Sequence, residues 1–96
     1  MGASKTNQYT QEIKDLSLIA RAIGHPARAQ IITLLKSQPF TRNTDLTSVL
    51  QLSKSTIYTH VSKLAQANLV ELDFQPNCYH ITLVPERLEE LKELIQ

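Results

Sequence analysis

The chain has 96 residues, 42% hydrophobic and 20% charged, which suffices for one folded domain and not for two cores. That composition excludes a disordered chain, and no apolar run approaches membrane-spanning length. The formal net charge is only +1, but residues 1–63 hold eight Lys and Arg against three acids, and residues 64–96 hold two against six. Such polarity can present one basic side to a polyanion, or it can be a scatter of solvated charges. Cys78 is the sole cysteine, so no internal disulfide can form and nothing suggests secretion. Residues 1–8, MGASKTNQ, are polar and lack the apolar segment of a leader. They are expected to be a disordered tail ahead of one domain over 9–96, and a cytoplasmic location is the default expectation.

In chain order, the first predicted helix runs from about Tyr9 to Ile23. Ile13, Leu16, Ala20 and Ile23 recur at helical spacing, and Leu18 and Ile19 widen the apolar surface. Gly24 suits a left-handed terminating position. Pro26 suits the first turn of a second helix, to about Lys36, because its missing N–H would be unpaired there anyway. Pro39 breaks the pattern. A short third helix is expected over Asp45–Gln51 with Thr44 as its cap, and a fourth over Lys54–Ala67 with Ser53 as its cap. Asn68 can take the left-handed position that ends it. The period then changes to two. Val70, Leu72 and Phe74, then Tyr79, Ile81 and Leu83, predict a hairpin around Pro76-Asn77 with one buried face. Pro85 opens a last helix bearing Leu88, Leu91, Leu94 and Ile95. The expected fold is mainly α with a small β-hairpin, ααααββα, a winged helix-turn-helix.

The fourth helix carries the chemistry. At 100° per residue, Ile57, Val61 and Leu64 converge on one side with His60 beside them. Lys54, Ser55, Tyr58, Thr59 and Ser62 converge on the other. No acid occurs between residues 46 and 70, whereas solvated faces usually mix both signs. Such a face fits a DNA major groove. Hydroxyls bond phosphates or base edges, Lys meets phosphate or guanine, and a Tyr ring touches a thymine methyl. Lys63 and Arg42 are assigned to phosphates. The expected partner is double-stranded DNA.

The stretches AIGHPARAQIITLL (22–35) and LSKSTIYTHVSKLAQANLVE (52–71) resemble the ArsR family of winged-helix repressors, including a hydroxyl-rich recognition helix and the His of a Ser-x-His-Leu pattern at His60. The resemblance extends over about residues 12–95. It implies a DNA-binding homodimer built from the first and last helices, often a ligand-controlled repressor. On this chain the interface would comprise Ile13, Leu16, Ala20, Leu88, Leu91 and Ile95. Broad apolar surfaces on two terminal helices, beyond what one small core needs, agree with it.

Departures from the family pattern limit what carries over. The Cys-x-Cys metal box of many members is replaced by PFTRNTDL (39–46), and the last helix, PERLEELKELIQ, has no His. Metal sensing is therefore not expected, and no cofactor is. Cys78 and His80 share one strand face, but two ligands do not make a zinc site. His25 reads as a capping or packing residue, and His60 more as a structural His than a base reader. Residues 69–84, the wing, hold Glu71 and Asp73 and no Lys or Arg, so the wing is expected to add little to DNA affinity. If Phe74 pairs with Tyr79, Asp73 lies opposite His80 and the two charges can partly satisfy each other. No nucleophile–base motif or phosphate-binding glycine loop occurs, which argues against an enzyme. The rival reading is a winged helix whose corresponding surface binds another protein.

Overall fold

The structure is a computed structural model describing residues 8–38 and 41–95, with the side chains of residues 94 and 95 outside the description. The break assigned to Pro39 and nearly all of the expected tail lie outside the described residues.

Helix α1 (Gln11–Ile23) starts where Thr10 Oγ1 accepts from the Ile13 N–H at 3.2 Å. Its stripe differs from the expected one. Ile19 and Ala22 are buried, Leu16 and Ile23 half-buried, while Ile13 and Ala20 face solvent. The apolar residues of α1 cover more than one side, so the core could select Ile19 in place of Ala20. Gly24 ends α1 with φ −75°, not in the left-handed region. The position requires room instead, since a Cβ there would lie 3.2 Å from the Ala20 carbonyl oxygen.

Helix α2 (Pro26–Ser37) opens on Pro26, and His25 Nδ1 accepts from the Ala27 N–H at 3.1 Å. His25 thus caps α2, one of the two roles, capping or packing, expected of it. Strand β1 (Thr41–Arg42) was not expected; two residues are too few to leave a period. Helix α3 (Asn43–Leu50) begins two residues before the predicted start, capped at Arg42 and not Thr44. The Asp45 carboxylate accepts from the Arg42 N–H at 3.0 Å, satisfying the cap residue's own donor. Gln51 takes the left-handed conformation (φ 55°) that turns the chain into the next helix.

Helix α4 (Lys54–Gln66) is capped as expected: Ser53 Oγ accepts from the Thr56 N–H at 3.2 Å. Asn68, at φ 59°, closes it. Strands β2 (Val70–Phe74) and β3 (Tyr79–Leu83) pair antiparallel in the expected register, Phe74 opposite Tyr79 and Asp73 opposite His80. β1 adds to the far side of β3, giving a three-stranded sheet in the order β1-β3-β2. Helix α5 (Pro85–Ile95) is held against the end of α4 by Arg87, whose Nε donates to the Ala67 carbonyl at 2.9 Å.

One core unites these elements. Ile19 of α1, Ile31 and Leu35 of α2, Leu46 of α3, Ile57, Val61 and Leu64 of α4, and Ile81 of β3 are all at most 2% exposed. Burying each such side chain contributes roughly 1.5–3 kcal/mol. Leu88 and Leu91 of α5 pack partly against the same core.

Candidate nucleic-acid interface

The core residues of α4 lie on one side of the helix and leave Lys54, Ser55, Tyr58 and Thr59 exposed on the other, with Ser62 half-buried. The helix N-terminus opens onto this face. Its partial positive charge adds to that of Lys54, and no acid occurs in the first turn. A hydroxyl network prepares the end. Ser53 Oγ lies 2.9 Å from Thr56 Oγ1 and 3.2 Å from Ser55 Oγ. The Thr59 hydroxyl donates to the Ser55 carbonyl at 3.0 Å, so it is left to accept from an external group and not to donate to one. Tyr58 is 49% exposed, and its ring stands edge-on to Tyr79, centroids 6.0 Å apart. The wing therefore buttresses this side chain.

Of the two residues assigned to phosphates, Lys63 lies one helical turn beyond Thr59 and Arg42 belongs to the α3 cap. Arg42 caps α3, and its guanidinium lies 3.4 Å from the Asp45 carboxylate. The Arg42 N–H, more than its guanidinium, holds Asp45 below the usual carboxylate range. Lys63 lines a pocket with Arg21 and Arg28. The nine positions between Lys54 and Lys63 already place them roughly 180° apart around the helix.

His60 is buried against His25, ring centroids 4.6 Å apart. Burial lowers its pKa, and the nearby His25 and Arg28 act in the same direction. In the wing, Tyr79 is buried and its hydroxyl has no hydrogen-bond partner among the described residues. Burial raises its pKa, as does Tyr58. The Tyr79 N–H donates to Asn43 Oδ1 at 3.0 Å, joining α3 to the wing across 36 positions. No sequence pattern signals this bond. The turn is closed by the Gln75 N–H donating to the Cys78 carbonyl at 2.8 Å. Asn77 does not adopt a positive φ in this turn. Asp73 faces His80 without an ion pair, because its carboxylate accepts from Gln75 Nε2 at 3.1 Å instead. Among the described residues, no three His, Cys, Asp or Glu side chains are grouped to hold a metal ion.

Of the expected interface residues, Ile13 and Ala20 are exposed, Leu16, Leu88 and Leu91 are half-buried, and the side chain of Ile95 lies outside the description. Ile13 lines a groove with Tyr9 and Leu18 on the outer side of α1. Among the described residues no helix is long and apolar enough to cross a membrane.

The helix-turn-helix and the first residues of the wing, 25–71, match the family described as bacterial regulatory protein, arsR family. Through this segment the chain is similar to the ArsR family. That family is one of bacterial regulatory proteins. An uncharacterised HTH-type transcriptional regulator of Methanocaldococcus jannaschii is 37% identical over 60 residues, 62% of this chain and 61% of the relative's length. Among solved structures, an ArsR-like transcriptional regulator from a Rhodococcus species superposes with a TM-score of 0.79 at 19% identity, covering 90% of this chain and 80% of that one. HlyU from Vibrio cholerae superposes with a TM-score of 0.75 at 22% identity, covering 90% and 94%. These two likenesses establish the winged-helix fold.

Proposed function

We propose that this chain is an ArsR-family, homodimeric regulator of transcription that inserts α4 into the major groove of double-stranded DNA. The observation that carries this reading is the outward side of α4, where Lys54, Ser55 and Tyr58 stand exposed beside a capped helix N-terminus, with no carboxylate on α4. Lys54 and the helix N-terminus hold backbone phosphates. Ser55 and Tyr58 reach base edges, and Thr59 and Ser62 accept from or pack against the groove wall. Arg42 and Lys63 flank this contact and meet phosphates only at its margins.

Dimerisation supplies two recognition helices spaced by about one turn of DNA, roughly 34 Å. Its support is the exposed apolar surface of α1 and the residues just before it, where Tyr9 is 54%, Ile13 46% and Leu18 38% exposed. Repression needs no metal in this reading, because the family's Cys-x-Cys and terminal-helix His positions carry other residues here.

A salt titration of binding to bulk duplex DNA tests the proposal. Affinity that falls steeply and linearly on a log–log plot supports it. Salt-insensitive or undetectable binding favours instead a module that docks another protein, a reading to which the exposed Glu71 and Asp73 on the wing give some support.

A further inference from the structure

At the end of α4 remote from its cap, three helices bring cations together. Arg21 of α1, Arg28 of α2 and Lys63 of α4 line one pocket of about 240 Å³, with Gln66, Leu18 and Ala22 completing the wall. No carboxylate lines it. None of the three cations forms an ion pair among the described residues, where the pairs are Arg42–Asp45 and Arg87–Glu90.

Two of the cations have an ordinary explanation. Arg21 and Lys63 each occupy the last turn of a helix, where a positive charge complements the carbonyl end. Arg28 does not. It sits in the first turn of α2, beside the positive end of that helix, and α2 has no acid there to offset it. Its Nε is buried and has no hydrogen-bond partner among the described residues. A buried donor left unpaired costs about 1–3 kcal/mol, and more when charged. It also adds to the positive surroundings of His60. The local balance is therefore unmet positive charge with unused donors.

We propose that this pocket binds a small multivalent oxyanion, a phosphate-bearing or polycarboxylate metabolite. Arg28 and Arg21 supply planar donor pairs matched to such groups, Lys63 supplies a point charge, and the Gln66 amide supplies a neutral donor. The volume is below the 300–1,000 Å³ typical of drug-sized ligands, which restricts the guest to a few heavy atoms beyond the oxyanion. A backbone phosphate of DNA shares the chemistry. The position favours a free anion, because two of the three cations, Arg21 and Arg28, come from α1 and α2 and not from the groove-facing set on α4. The site stands on its own geometry and does not depend on DNA binding.

Calorimetric titration of the full chain with inorganic phosphate and with citrate, at fixed ionic strength, tests it. The expected result is saturable binding that weakens at least about tenfold in both Arg21→Gln and Lys63→Gln, as loss of one charge-assisted bond implies. Both side chains are exposed, and far-UV circular dichroism verifies that the variants fold. Absence of saturable binding up to about 10 mM, roughly ten times the Kd of about 1 mM that marks a weak site, overturns the proposal. So does binding that survives both substitutions. So too does a chain that ignores free anions while each variant flattens the log–log salt slope of duplex binding by about one unit, since the cations would then serve backbone phosphates.

Discussion

His60 joins folding to pH. It is buried on α4, and the groups that face it, His25 and Arg28, are both on the side of α2 and are not acidic. Its folded pKa lies below the ordinary value of about 6.5. The unfolded chain therefore binds a proton more readily, so stability is fully present above about pH 6.5 and is lost as pH falls through the lower folded value. The melting temperature should decline between about pH 7 and pH 5, and His60→Leu should flatten that decline. An unchanged pH profile in the variant would assign the effect elsewhere. Tyr79 gives the opposite kind of expectation. Its buried hydroxyl has no partner among the described residues, so Tyr79→Phe removes a desolvated polar atom while keeping the ring that touches Phe74 at a centroid distance of 5.4 Å. Thermal unfolding should show Tyr79→Phe as stable as the parent or up to about 1 kcal/mol more stable.

At the scale of elements, the wing is tied to α3 by Asn43. Asn43→Ala leaves the Tyr79 N–H unpaired and should cost about 1–3 kcal/mol, measured as a lower urea midpoint at constant slope. The wing tip is expected to matter little to DNA. Its turn is four residues, Gln75 to Cys78, with no cation, and Asp73 and Glu71 are exposed. Lys54→Ala should reduce the log–log salt slope of duplex binding by about one unit per bound helix, whereas Asn77→Ala should leave it nearly unchanged. Equal losses in the two variants would give the wing a role in DNA contact. Tyr58 complicates a simple partition, because its ring also rests against Tyr79. Substituting it perturbs both the groove side of α4 and the support it receives from the sheet.

At the scale of the whole molecule, the choice of interface probe depends on which apolar residues the core has already used. Ile19 is fully buried, and Leu91 packs partly against the protomer's own core, so a charge at either position threatens folding itself. Ile13 is 46% exposed on the outer side of α1. Ile13→Asp should therefore convert a dimer to a folded monomer, since a charge buried between protomers would have no partner. Sedimentation velocity at micromolar concentration checks the mass, and near-parental thermal stability of the monomer checks the fold. A dimer that persists in Ile13→Asp would move the interface away from α1.

Much of this protein is determined by local chemistry that a sequence displays directly. The N-caps at His25 and Ser53, the left-handed Asn68 and the register of β2 on β3 all depend on residues within a few positions of one another, or on a strict period of two. So does the outward set on α4, because a single helix fixes its own angles. What the tertiary structure alone decided lies between distant segments. β1 exists only because β3 offers an edge 40 positions away at Ile81, and two residues have no periodicity to detect. The buried side of α1 rests on Ile19, not Ala20, because several apolar faces were available and packing chose the one that met Val61 and Leu64 in a common core. Lys63 and Arg28 share a pocket for the same reason. Three helices end or begin at one place, and charge that looks dispersed along the chain is concentrated there by the way the helices pack.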